Sequence, residues 1–295
     1  MKFCSQCKTA YDAINFKCPI CGNSALIDKD IILHAPDMAF EGGGFNPEAF
    51  KKLAGLEETN FWFRARNHLI LWALHKFVPT DAKADSLGKY LEIGCGTGYV
   101  LKGVKSAFKN TQVFGSEIFT LGLEQAKNRL TDITLMQMDA RRIPYQDEFD
   151  VIGAFDVLEH IDEDEIVISE VFRALKPGGV FIATVPQHDW LWSKLDDYAC
   201  HKRRYKSIEL QKKMKQAGFK IIKTTSFVSL LLPLMYMARN QNKDKKAEFD
   251  PVKELALPKI LNQILYAIMK IEIGLLKLGV SFPFGGSRLV LAVKL

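Results

Sequence analysis

Apolar residues recur along the chain in short runs separated by charged or glycine-containing stretches. From residue 89 onward, seven of them read as strands rich in β-branched and aromatic residues: KYLEIG, TQVFGSE, ITLMQMD, FDVIGAF, VFIATVP, FKIIKTTSF and RLVLAVKL. Segments of helical periodicity lie between most of them. This alternation predicts an α/β fold with a doubly wound, mostly parallel seven-stranded sheet covered on both faces. Upstream, NFWFRARNHLILWALHKF sets Phe61, Leu69, Trp72 and Phe77 on one apolar face and predicts a helix that enters this domain. Downstream, FVSLLLPLMYMA and KILNQILYAIMKIEIGLLKLGV are unusually apolar and predict a helical insertion over 227–280. Lys270, Glu272 and Lys277 interrupt the second run, which argues against a transmembrane span. It reads as core, or as an amphipathic lid, a dimer face or a membrane-surface helix. The lysine-rich NQNKDKKAEFDP between the two reads as an exposed loop.

The first thirty residues follow a different pattern. Cys4, Cys7, Cys18 and Cys21 form two CxxC pairs ten residues apart. Each CxxC turn presents two thiolates, and zinc takes four of them in a closed tetrahedral structural site. Pro19 and Gly22 favour the tight turn that aims the sulfurs. Two disulfides are the alternative, and the absence of a secretion signal argues against them. A redox CxxC would stand alone on a βαβ unit. Residues 1–30 are therefore expected to be a small zinc ribbon that folds on its metal. Residues 31–50, with Pro36, three consecutive glycines and Pro47, read as a linker or ordered loop. The main domain is expected over 51–295.

Composition changes this picture little. The chain has 295 residues, 48% hydrophobic and 25% charged, as expected for a globular protein rather than a disordered one. The first residues lack the charged start and apolar run of a leader, and no apolar stretch reaches membrane-spanning length without a charge. A cytoplasmic protein, with peripheral membrane contact open to it, is the expectation. The net charge of +6 would suit an anionic partner and equally serves solubility.

The chemistry is concentrated in YLEIGCGTGYVL, residues 90–101. A strand breaks into Gly94, Cys95, Gly96 and Gly98 and resumes as apolar helix. Such a turn lets backbone approach a ligand and offers the unpaired N–H groups of the following helix. A nicotinamide fingerprint is GxGxxG, but its third glycine position is here Tyr99. Glu92, two residues before the first glycine, would repel a pyrophosphate. S-adenosylmethionine carries an ammonium and a sulfonium and no phosphate, so it tolerates that carboxylate.

These residues and four further motifs resemble the class I S-adenosylmethionine-dependent methyltransferases, in particular a broad bacterial branch acting on small molecules and lipid precursors. The likeness spans roughly residues 55–225 and the terminal strand, and implies a Rossmann-like methyltransferase fold. It implies that Glu117, closing VFGSE and followed by Ile118, holds the ribose hydroxyls. Asp139 and Ala140 in MDARRIPY would flank the adenine. Phe155 and Asp156 in FDVIGAFDVLEHI would lie under the methionine portion, and LKPGGVFIATVP would supply the next helix, turn and strand. EETNFWFRARN resembles a helix that closes over the donor, where Arg66 would fork onto its carboxylate.

Methyl transfer from sulfonium is an in-line displacement that needs alignment more than an enzyme nucleophile. If the acceptor is a hydroxyl, an imidazole base suits it. His201 in YACHKRRY and His160 in LEHI are the candidates, with His201 preferred for its place after the fifth strand. His188 and Asp197 share that segment as further acceptor contacts, and Arg203 and Arg204 could hold an anionic group of the acceptor. The expected partner is a small or lipid-linked acceptor. The alternatives are an RNA methyltransferase docking through its ribbon, and a binding module that keeps the donor without a competent acceptor site.

Overall fold

The computed structural model describes residues 1–4, 6–13, 16–39, 49–79, 85–241 and 256–295. Strands β1 (Lys2–Phe3) and β2 (Ala10–Tyr11) pair antiparallel in the cysteine-bearing segment. Then β3 (Leu26–Asp28) and β4 (Ile31–Leu33) form a hairpin. All seven predicted strands are present: β5 (Lys89–Ile93), β6 (Gln112–Glu117), β7 (Thr134–Gln137), β8 (Phe149–Phe155), β9 (Leu175–Pro186), β10 (Phe219–Phe227) and β11 (Ser287–Lys294). The helices are α1 (Ala49–Leu56), α2 (Phe61–Phe77), α3 (Tyr99–Ala107), α4 (Thr120–Arg129), α5 (Asp164–Ala174), α6 (Lys194–Tyr198), α7 (Glu209–Gln216), α8 (Leu232–Gln241) and α9 (Lys259–Lys277).

The main sheet has the order β10-β11-β9-β8-β5-β6-β7-β4-β3. From β9 through β4 neighbouring strands run parallel, whereas β11 pairs antiparallel with both β9 and β10. Seven strands match the expectation, and the β3–β4 hairpin extends the sheet to nine. Ile31–Leu33, read from the sequence as the start of a linker, is thus a sheet strand paired with β7. A three-residue IIL run carries too little periodicity to be told from an apolar loop, and it is the edge of β7 that brings it, with its hairpin partner β3, into the main sheet. Residues 40–48 of the expected linker, and all of the lysine-rich stretch beyond residue 241, lie outside the described residues.

The strands are buried on both faces because helices cover both. Tyr90, Val151, Val180 and Ile182 point into one core with Leu69 and Leu74 of α2, Leu101 of α3 and Met269 of α9. Their neighbours Leu91, Ile152, Phe181 and Ala183 point into the other, with Val167 and Val171 of α5 and Met214 of α7. The strand period of two thus assigns alternate residues to the two layers. Helix α2 starts where the Asn60 side chain accepts from Trp62 N–H at 2.9 Å, a capping bond that also fixes where Arg66 emerges two turns on. Helix α9 is pinned to that start, since Asn262 Oδ1 accepts from Phe61 N–H and Asn262 Nδ2 donates to Thr59 O, each at 2.8 Å. Among the described residues no helix is long and apolar enough to cross a membrane.

The chain leaves β5 for β6 and β7 on one side, then returns to β8 on the other. Connections diverge at the carboxyl end of β5, and a doubly wound sheet opens its ligand crevice at such a switch point.

Candidate active site

The crevice is floored by the turn after β5. Gly94 has φ +64°, and a Cβ there would lie 2.5 Å from Val157 Cγ2. Gly98 has φ +75°, and its Cβ would meet Ala126 Cβ at 2.9 Å. Both a left-handed backbone and close packing therefore demand glycine at these two positions. Gly98 lies off the cavity wall, turning the chain into α3. Gly96 N–H donates to Glu117 Oε2 at 3.1 Å, tying the glycine turn to the end of β6. Oε1 of the same carboxylate accepts from Ile118 N–H at 2.8 Å. Burial pushes the Glu117 carboxyl above the usual range, against these N–H groups that draw it down.

One cavity of about 900 Å³ contains most of the expected donor residues. Glu92, Gly94, Cys95 and Gly96 line its floor, Glu117 and Ile118 one side, and Asp139 and Ala140 the next. Phe155 and Asp156, at the end of β8, line the side facing Arg66 of α2. Arg66 pairs with Asp156, and its guanidinium lies 4.5 Å over the Trp62 ring, so Trp62 positions the arginine by cation–π contact. Burial pushes Glu92 up to about 8, with Tyr90 and the charge of Arg66 pulling the other way. Asp139 is partly committed, since it accepts from Arg141 N–H at 2.9 Å and from Arg141 Nε at 3.0 Å.

Beyond Asp156 the wall becomes a cluster of acid and imidazole groups. His201 Nδ1 lies 2.9 Å from Asp196 Oδ1. Asp196 is the N3 residue of a capping box with Ser193 on α6, and it also takes Arg204 at 2.7 Å. Burial alone would raise Asp196, yet His201, Arg204 and Arg239 outweigh it and hold the carboxyl well below its usual range. The rings of His160 and His201 meet edge to face at 4.7 Å between centroids. Burial, reinforced by His201, lowers His160 to about 4. Glu159 is wholly buried beside them, and burial together with the charge of Asp156 raises its carboxyl far above the usual range.

Four expected acceptor contacts fare differently. Arg203 points off the cavity to Asp164, 3.0 Å away and itself buried. Arg204 lines the cavity, but Asp196 already takes its charge. The pair is therefore not a free anion clamp. His188 stacks on Trp190 at 5.0 Å, and Asp197 accepts from Trp192 Nε1 at 2.8 Å, so neither lines the cavity. Spacing in HDWLWSKLDDYACHKRRY cannot reveal this, because a 3₁₀ turn at Asp189–Leu191 and then α6 rotate these side chains to different sides.

Sequence reading passed over Glu159 and Asp196. Glu159 adjoins His160, and Asp196 ends the SKLD capping signature, so both left local signals. The apolar wall has only its composition as a signal: Val228, Leu231, Leu234 and Met235 around α8, with Leu261 and Leu265 of α9. The same cavity runs from the glycine turn to these side chains.

Outside this cavity, the four N-terminal sulfurs converge within 4.8 Å of one another, with Cys4–Cys21 at 3.5 Å and Cys7–Cys18 at 3.6 Å. Tetrahedral zinc with sulfur at about 2.3 Å implies an edge of about 3.8 Å, so the four sulfurs fit a structural zinc. Burial would raise the Cys4 thiol, but the backbone N–H groups of Cys7 and Gln6 hold it at about 6, whereas burial and the neighbouring sulfurs push the Cys21 thiol up to about 12.

The chain is similar in sequence and fold to known methyltransferases. A family described as "Methyltransferase domain" matches residues 91–183. A Mycolicibacterium smegmatis protein, named a probable S-adenosylmethionine-dependent methyltransferase, is 27% identical over 174 residues, 58% of this chain and 64% of that protein. Residues 91–183 are thus a methyltransferase domain of the class I S-adenosylmethionine-dependent kind. A ubiquinone/menaquinone biosynthesis C-methyltransferase of Desulfotalea psychrophila is 31% identical over 38% of this chain and 47% of its own length. The chain thus spans less than two thirds of these relatives. Among solved structures, a chain from the complex of the Haloferax volcanii Trm112 methyltransferase activator with a methyltransferase shares the fold, with TM-score 0.55 and 16% identity. It covers 84% of this chain and 95% of that one.

Proposed function

We propose that the chain transfers a methyl group from S-adenosylmethionine to a small or lipid-linked acceptor. The observation that carries this reading is the single cavity joining the glycine turn to the apolar wall of α8 and α9. Glu117 would accept from the ribose hydroxyls, and Asp139 and Ala140 would flank the adenine. The methionine portion would lie over Gly94–Gly96 against Phe155, with its ammonium toward Glu92 and its carboxylate sharing Arg66 with Asp156. The acceptor's apolar part would lie against Leu231, Leu234 and Leu261. The quinone-biosynthesis relative fits an acceptor of this character.

Transfer is in line: the acceptor atom forms its bond to the methyl carbon as the carbon–sulfur bond breaks and its electron pair returns to sulfur. For an oxygen acceptor, His201 Nε2 takes the proton, and Asp196 on Nδ1 holds the tautomer and stabilises the imidazolium. His160, lowered to about 4, stays neutral and packs against His201. An RNA acceptor would call for free cations at the mouth, whereas Arg203 and Arg204 are both paired. On the outside of α8 and α9, Met237 is 58% and Ile260 75% exposed, which suits peripheral contact with the lipid surface where such an acceptor resides.

The test is transfer of a labelled methyl group from the donor into lipid, polar-metabolite and RNA fractions, with the parent and a Leu234→Asp/Leu261→Asp variant. Label extracted with lipid by the parent, and lost by the variant while donor binding persists, supports the proposal. Label in RNA overturns the acceptor assignment, and failure of the parent to bind the donor overturns the whole reading.

A further inference from the structure

We propose that Glu159, His160 and His201 form a second metal site, separate from the four cysteines, that takes one divalent transition-metal ion on the acceptor side of the cavity. One ligand atom from each of the three lies within 4.8 Å of the others, and all three residues line the cavity. The backbone builds this convergence. A 3₁₀ turn over Leu158–His160 presents Glu159 and His160 in succession, and Lys202 N–H donates to Glu159 O at 2.7 Å, which brings His201 against them.

Two observations single this cluster out from ordinary buried polar groups. Glu159 has no exposed surface, and neither of its carboxylate oxygens takes a hydrogen bond. Buried carboxylates are normally satisfied, so one aimed at two imidazoles without a partner lacks a cation. The arginines nearby are otherwise engaged, Arg66 by Asp156 and Arg204 by Asp196. The second observation is the Asp196–His201 contact at 2.9 Å. A carboxylate accepting from Nδ1–H fixes the tautomer whose Nε2 lone pair is available, and Nε2 is the atom facing Glu159 Oε1 at 4.0 Å. Metal-binding histidines are typically oriented by such an outer carboxylate.

Donor type selects the ion. Two neutral imidazole nitrogens and one carboxylate oxygen suit zinc, manganese(II) or iron(II), whereas calcium and magnesium favour oxygen ligands. With ligands about 2.1 Å from the ion, a tetrahedral edge is about 3.4 Å, so His201 and Glu159 need to close by about 0.6 Å, within reach of small side-chain rotations. The remaining coordination positions would face the cavity, where a polar atom of the acceptor could bind. His201 Nε2 cannot hold a proton and an ion at once, so a loaded site turns His201 from base to ligand. The inference rests on these side chains and not on the methyl-transfer reading.

Manganese(II) distinguishes the two sites, because it prefers nitrogen and oxygen to the thiolates that hold zinc. The full chain, purified with its ribbon zinc, is titrated with manganese(II) while the free-ion electron paramagnetic resonance signal is followed. The expected result is one manganese per chain, with affinity about tenfold or more weaker in Glu159→Gln and in His201→Ala while both unfold cooperatively. Equal binding in parent and both variants, or none in the parent, overturns the site. Calorimetric donor binding is measured separately on the parent, so failure of the methyltransferase reading is distinguishable from failure of this one.

Discussion

Asp196 holds His201 through a 2.9 Å contact to Nδ1 while the same carboxylate takes Arg204 at 2.7 Å, so one buried acid both orients the candidate base and neutralises a buried arginine. The two partners separate function from stability. His201→Ala should lower turnover on an oxygen acceptor by about 10²–10⁴-fold with donor affinity unchanged, as measured by steady-state kinetics and calorimetry. Asp196→Asn leaves Arg204 without its counter-charge and should destabilise the fold by about 3–5 kcal/mol in denaturant titration. Because its folded pKa is depressed, Asp196 contributes stability above the ordinary aspartate range, which is lost as pH falls below it.

Glu92 predicts a proton count. Burial holds it near 8, so at pH 7 it is largely protonated. A cationic donor placed over it favours the ionised form, so binding should release protons and tighten as pH rises from 7 toward about 8. Calorimetry in buffers of different ionisation heat measures the release, and Glu92→Gln should abolish it. Proton uptake would contradict the placement of the ammonium. In the ligand-free protein the same shift acts in reverse: stability falls as pH rises between the ordinary glutamate value and about 8, and the glutamine variant should lose that slope.

Glu117 bridges the glycine turn and the donor's expected ribose. Its replacement by Ala should weaken donor binding by about 1.5–3 kcal/mol, the value of hydrogen bonds to a charged acceptor. NAD binding more tightly than S-adenosylmethionine to the parent would contradict the donor assignment.

Truncation should divide the N-terminal segment in two. Removing residues 1–24 takes away the cysteines and leaves the β3–β4 hairpin, so donor affinity should stay within about twofold. Removing residues 1–39 strips β4 from β7 and breaks the bonds between Ala35 and the Gln137 side chain, at 3.0 and 2.7 Å. It also removes Met38 from the cavity wall, and donor affinity should fall. Chelation of zinc should reproduce the first result, followed by near-ultraviolet dichroism and calorimetry.

The local sequence was enough to place the seven strands, the glycine turn, Glu117 at the end of β6 and the paired CxxC knuckles. In each the determinant is short-range: strand period, left-handed glycines and cysteine spacing act over a few residues. The tertiary structure alone decided that Ile31–Leu33 joins the main sheet, because β7, the strand it pairs with there, is distant in the chain. It also turned Arg203 toward Asp164, joined Asp196 to Arg204 and His201, and left Glu159 buried without a hydrogen-bond partner. Motif reading recognises which residues carry charge. Which charge meets which depends on how distant helices and turns pack, and in a low-dielectric interior that pairing determines whether an arginine is free to bind a ligand or already neutralised.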